Sequence, residues 1–317
     1  MAGNSNFDSL ISTTLQNHAS NLEDNVFNPL PLFNWLSKKG NVKTLGGGRT
    51  IVKPIIEAKN TTAGEYASYS LLDTTPQDEF TSAEYNIRQY SVSIAINGLE
   101  EFQNSSEWEI INLLEGKIKN AEMSLRDVLN TDAFASQSGN KIEGLQNLVN
   151  DAGTGTVGNI NSSTNTYWQN QKQQSVGSFA SNGVDKMRAG YNSALYGSSR
   201  PDVIFTTEAV FGYYEKTMAS NERYLTVTGP DGTGKLSFPH LAFKATPVLF
   251  DRACPSGTMY LLNSNHLFFE MGKGKDFVTT PFVRPENQDA KVAQILVYGN
   301  LVVDSRRTHC VLSGITA

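Results

Sequence analysis

The chain is 317 residues long, with 39% hydrophobic residues, 18% charged residues and a formal net charge of −5. This composition supports a sizeable core in two domains, or in one elongated domain with an insertion, and it excludes a disordered chain. The negative balance argues against a sequence-independent nucleic-acid clamp, and two cysteines, Cys254 and Cys310, are too few for a disulfide framework.

Residues 1–45 open on a short helical pattern (Phe7, Leu10, Ile11, Leu15) and then become irregular through Asn28–Leu36. The start MAGNSNFDSL has neither a basic nor an apolar signal region, and no apolar run reaches the roughly twenty residues of a membrane span, so a soluble, unexported protein is expected. Phe27, Phe33 and Trp35 have no partners nearby in sequence, so this arm is expected to dock on its own body or on a neighbour. Gly46–Gly48 frees the backbone before the β-branched run Thr50–Ile56, in which Pro54 suits an edge strand. After a polar stretch from Lys59 to Glu79, the run Tyr90–Ile96 alternates with period two. Together the two runs predict a long hairpin, about twelve residues per leg and some ~40 Å long. An isolated ribbon of that kind is marginal in water and calls for support from another subunit.

Ser106–Ala135 is the most clearly periodic stretch. Ile110, Ile111, Leu114, Ile118, Ala121, Leu125, Val128 and Leu129 form one stripe on a helix about 45 Å long. Ser106 and Glu109 make a capping box, and Glu115–Lys119 and Glu122–Arg126 have i,i+4 spacing. Lys141–Gln174 reads as loop, anchored by Leu145, Leu148 and Val149. A helix is expected over 181–196 with Val184, Met187, Tyr191 and Leu195 on one face. Pro201–Thr207 reads as a buried strand entering the helix Glu208–Met218, which suggests a compact α/β unit. Strands follow at Ala242–Phe250, Met259–Leu262, His266–Met271, Phe277–Val283, Val292–Val303 and Arg307–Ile315. The long pair turning at Gln288-Asp289 is placed under the long helix.

Catalytic chemistry is sparse. Gly229–Lys235 has P-loop spacing, but Leu236 stands where magnesium needs Ser or Thr, and Pro239 spoils the following helix, so a turn is expected. His18, His240, His266 and His309 belong to no metal-ligand motif, and neither cysteine is poised as a nucleophile. The acids Glu100, Glu101, Asp127 and Asp132 read as solvated helix flanks.

The stretches PLFNWLSKKGNVKTLGGGRTIVKPI (31–55), SLLDTTPQDEFTSAEYNIRQYSVSIAINGLEEFQNS (70–105) and IKNAEMSLRDVLNTD (118–132) resemble the major capsid protein of tailed double-stranded DNA bacteriophages, with its Hong Kong 97-like fold. RPDVIFTTEAVFGYYEKTM and VLFDRACPSGTMYLLNSNHLFF fit the same family, and residues 155–180 are the least specific. The resemblance implies an α+β fold divided into an N-terminal arm (1–45), an E-loop hairpin (46–97), a spine helix (98–139), an A-domain (140–265), P-domain strands (266–307) and a terminal strand returning to the A-domain (308–317). It implies a structural subunit of hexamers and pentamers in an icosahedral shell around double-stranded DNA, with no active site, cofactor or metal. Intersubunit contacts are expected at Phe33, Trp35, Lys59, Tyr66, Tyr69 and Phe80. Partners would be further copies, a separate scaffolding protein (the arm starts near residue 1), a portal and a decoration protein. The location would be the virion capsid, after synthesis in the bacterial cytoplasm. Some relatives crosslink through an E-loop lysine. Lys59 is the only lysine between Pro54 and Phe80, and noncovalent closure is expected. The alternatives are a nanocompartment shell protein of the same fold and, remotely, a nucleotide-binding enzyme using the 229–235 loop.

Overall fold

The computed structural model of the chain describes residues 30–103, 113–219 and 241–317. The expectations for residues 1–29, the Ser106/Glu109 capping box, Ile110 and Ile111, the 229–235 loop, His18 and His240 lie outside the described residues.

Pro31 pre-sets the first turn of an arm helix, Pro31–Lys38, which buries Leu32, Trp35 and Leu36 at i, i+3 and i+4. The chain then forms β1 (Val42–Leu45), β2 (Thr50–Ile56), β3 (Phe80–Asn86) and β4 (Arg88–Asn97). Between β1 and β2 the backbone passes through Gly47 (φ 136°) and Gly48 (φ 129°), a region that L side chains rarely adopt.

The hairpin is shorter than expected and closes differently. β2 pairs antiparallel with β3, from Thr50↔Asn86 to Ile56↔Phe80. Each leg has seven residues, about 23 Å. The alternating run Tyr90–Ile96 is not the return leg. It lies in β4, which pairs along its length with the long strand Ala290–Val303, from Asn97↔Ala290 to Arg88↔Gly299. Alternation specifies which face of a strand is buried and leaves its partner open.

That long strand is the axis of a five-stranded sheet. Leu267–Gly272 pairs antiparallel with its C-terminal end, and β1 adds in parallel at the outer edge. The short strand Val278–Thr279 pairs with its middle. The spine helix, Leu113–Phe134, lies against β4 and buries Ala121, Leu125, Leu129 and Ala133. Its 22 described residues span about 33 Å. Val128, expected in the stripe, is half exposed at the stripe's rim. Arg126 forms no ion pair with Glu122 among the described residues, and its guanidinium lies 5.0 Å above the Phe277 ring.

A second, six-stranded sheet is built around Val203–Thr206, Met259–Leu262 and Cys310–Leu312. Every residue of these three strands is buried. Alternate side chains serve two cores, because successive residues of a strand face opposite ways. Ile204, Met259, Leu261 and Leu312 pack toward the helices Val184–Ser193 and Glu208–Ala219. Val203, Phe205, Tyr260 and Val311 join the core shared with the spine and arm helices. The strand-then-helix unit at 203–219 is as expected. Leu195 falls beyond the end of its helix and is exposed. Cys254 and Cys310 are free, buried thiols. Burial pushes both thiols up, Cys310 to about 12.

Candidate assembly surface

The β2–β3 ribbon has two unlike halves. At its base Ile51, Ala83 and Tyr85 face inward and are buried in the main core. Tyr85 Oη donates to Val303 O at 2.9 Å, which ties the ribbon to the end of the long strand. Desolvation raises the Tyr85 phenol well above its usual range, so it stays a donor. Glu84 N donates to Gly158 O at 3.0 Å. Gly158 has φ 58°, and a Cβ there would stand 2.8 Å from Ala83 Cβ, so glycine alone allows this approach. Lys53 forms a close ion pair with Glu270, and both Lys43 and Lys53 lie over the Phe268 ring, at 3.9 and 4.8 Å.

The outward face carries the opposite chemistry. Val52, Pro54 and Ile56 are exposed along β2, and Phe80 stands opposite Ile56 with 75% of its surface free. Beyond them, residues 57–79 have no regular secondary structure. Hydrogen bonds here run within the loop: Thr61 to Gln77, Thr62 to Asn60, Thr75 to Asp73. The two bonds from Thr75 hold the Asp73 carboxyl below its ordinary range. Tyr69 and Leu71 are fully exposed, Tyr66 and Leu72 largely so, and Lys59 is exposed as well. Large apolar side chains are thus left uncovered on an otherwise polar loop.

The arm residues sit elsewhere. Trp35, expected to touch another subunit, is 8% exposed and packs edge-on against Phe205 of its own chain at 6.0 Å. Phe33 is half-buried, edge-on to Phe269 at 5.1 Å. Lys39 reaches Asp202 at 3.3 Å, and Asn41 donates to Ser264 O. The aromatic area of residues 31–36 is therefore satisfied within the subunit. Of the six expected contact residues, the structure gathers Lys59, Tyr66, Tyr69 and Phe80 on the ribbon's outer half.

Where the two sheets meet, one residue invisible to sequence reasoning dominates. Arg306 is fully buried. Its Nε donates to Leu148 O (2.7 Å), Nη1 to Trp168 O (3.1 Å) and Ser162 Oγ (3.2 Å), and Nη2 to Asn170 Oδ1 (2.9 Å). Burial lowers it to about 10, so it remains a cation held by neutral acceptors. Beside it, Asp304 Oδ1 meets His266 Nδ1 at 2.8 Å, and His266 Nε2 meets Ser199 Oγ at 3.2 Å. This connectivity matches a nucleophile relay, but the Ser199 N–H, a natural oxyanion donor, is spent on Tyr196 O. The three residues tie the six-stranded sheet's loop to the ends of the long strands. Among the described residues no cluster of His, Cys, Asp or Glu is arranged to hold a metal ion, and no helix is long and apolar enough to cross a membrane.

A spine helix on a long-strand sheet, a second sheet with two helices, and a projecting ribbon define the Hong Kong 97-like capsid fold. Solved structures share it over almost their whole length. The capsid protein of cyanophage A-1(L) aligns with TM-score 0.72 at 18% identity, covering 96% of this chain and 98% of that one. The SrpI encapsulin of Synechococcus elongatus PCC 7942 aligns with TM-score 0.62 at 10% identity (96% and 95%), and the capsid of Myoviridae phage XM1 with 0.59 at 11% (95% and 97%). At the level of sequence, no family model and no curated protein matches.

Proposed function

We propose that this chain is the major capsid protein of a tailed double-stranded DNA phage, a structural subunit that closes into an icosahedral shell through hexamers and pentamers. The observation that carries this reading is the ribbon: its base is locked into the subunit core, while its outer half exposes Ile56, Tyr69, Leu71 and Phe80 with no cover from the described residues of its own body. A monomer gains nothing from that surface, whereas in a symmetric assembly every copy both donates and receives it.

The parts follow. Residues 46–86 act as the E-loop laid over a neighbour, with β4 retained by the P-domain sheet. Residues 140–265 and the terminal strand form the A-domain around the symmetry axes. The net charge of −5 suits a container for DNA better than a binder of it. A scaffolding protein and a portal complete assembly, and closure is noncovalent. Expression of the chain, alone or with its scaffold, followed by negative-stain microscopy tests the reading. Shells, capsomers or sheets are expected, and a strict monomer at high concentration overturns it.

The likeness to an encapsulin supports a second reading, a nanocompartment shell. Purified native particles separate the two: packaged DNA supports the capsid, and a co-purifying protein cargo supports the compartment.

A further inference from the structure

The charges of this chain are not spread evenly. The ribbon's tip, residues 57–79, carries Glu57, Glu65, Asp73, Asp78 and Glu79 against Lys59 alone. None of these six residues forms an ion pair among the described residues. Residues 30–56, by contrast, contain five cations and no acid. Two of those are neutralised inside the subunit, Lys39 by Asp202 and Lys53 by Glu270. Glu270 stands opposite Lys43 in the strand register but is paired with Lys53, and among the described residues Lys43 forms no ion pair.

The remaining cations are gathered by the fold at one sheet edge. Lys38 ends the arm helix just before β1, Lys43 lies within β1, and Arg49 follows it. Lys273 N donates to Leu45 O at 2.8 Å, and Lys275 lies in the next turn, so the segment after Leu267–Gly272 brings two more. All five are exposed, and β1 is the outermost strand of its sheet.

From this we infer that the acidic, aromatic tip of one copy docks on the cationic β1 edge (Lys38, Lys43, Arg49, Lys273, Lys275) of a second copy. The inference rests on the shell reading above and adds the acceptor surface to it. Donor and acceptor are different patches of one chain, so the contact is head-to-tail, the geometry that generates rings when the rotation closes. Opposite charges steer the encounter and set the register. Tyr66 and Tyr69 add ring faces over which Lys and Arg settle favourably.

Charge reversal tests this. Lys43→Glu with Lys273→Glu, or Glu65→Lys with Asp78→Lys, alters only exposed side chains, and an unchanged melting curve of the unassembled subunit confirms the fold. Each pair alone is expected to cut the yield of shells or capsomers at low salt by at least about tenfold, and all four changes in one chain to restore it. In parallel, a photo-crosslinking benzophenone amino acid at position 69 is expected to join residues 38–49 or 271–276 of another copy. Wild-type assembly by both reversed pairs overturns the inference and leaves the lysines as guards of an open sheet edge. Failure of the fourfold variant to recover, or crosslinks that fall elsewhere, also overturns it. So do normal shells that lose their DNA, which would give the patch to nucleic acid. A wild-type chain that never assembles defeats the shell reading itself, and a missing crosslink then removes this one too.

Discussion

The two halves of the β2–β3 ribbon have similar apolar content and opposite roles. At the base, Ile51 and Tyr85 are a directly paired couple on the inward face, buried and hydrogen-bonded into the core. Five residues further out along the strand, Ile56 and Phe80 are also directly paired, and both are exposed. Similar isoleucine–aromatic pairs thus stabilise the subunit at one end and are available to a neighbour at the other. What separates them is parity along the strand and distance from the core, since residues 51 and 56 point to opposite faces.

The strongest way to break the contrast is to remove the outer half. Replacing residues 59–79 by Asn-Gly should abolish closed shells, scored by electron microscopy, while the soluble subunit keeps its wild-type circular dichroism. Normal shells from that deletion would sink the role given to the ribbon. At the base, Tyr85→Ala should destabilise the unassembled subunit by about 3–5 kcal/mol in urea titration, through a cavity and the lost bond to Val303 O. Arg306→Lys at the junction should cost about 2–4 kcal/mol in the same assay, because an ammonium cannot reach acceptors spread over Leu148, Ser162, Trp168 and Asn170.

Buried His309 provides a smaller, pH-dependent effect. Its Nδ1 accepts from Asn263 N, and burial depresses it to about 3, against an ordinary value near 6.5. The unfolded chain therefore binds the proton first as pH falls. The stabilising contribution is complete above about pH 6.5 and is lost progressively down to about pH 3. Within that window His309→Gln should flatten the slope of stability against pH by up to about 1.4 kcal/mol per unit, measured by denaturation at a series of pH values. Smallest of all, Phe80→Ala should change subunit stability by less than about 0.5 kcal/mol while lowering assembly yield. A large stability loss there would erase the distinction between base and outer half.

Much of this was legible in the residues because it depends on local period. The Ala121, Leu125 and Leu129 stripe, the strand-then-helix at 203–219, the late strands and the unsupported ribbon all follow from spacing and composition, since burial on one face imposes a repeat of 3.6 or 2. Partnership is a different matter. The alternation in Tyr90–Ile96 suits pairing with β2 or with Ala290–Val303 equally, and only the packed sheet selects the latter. Phe33 and Trp35 announced a need for cover, and the fold met it inside the same chain. Arg306 carries no motif or periodic signal, and its role arises only because residues from 147 to 170 are brought around it. The sequence by itself determined which segments must bury an apolar face and that a projecting ribbon would need support from another subunit. Which surfaces meet was decided by tertiary structure, because contacts between residues far apart in the chain leave no periodic trace along it.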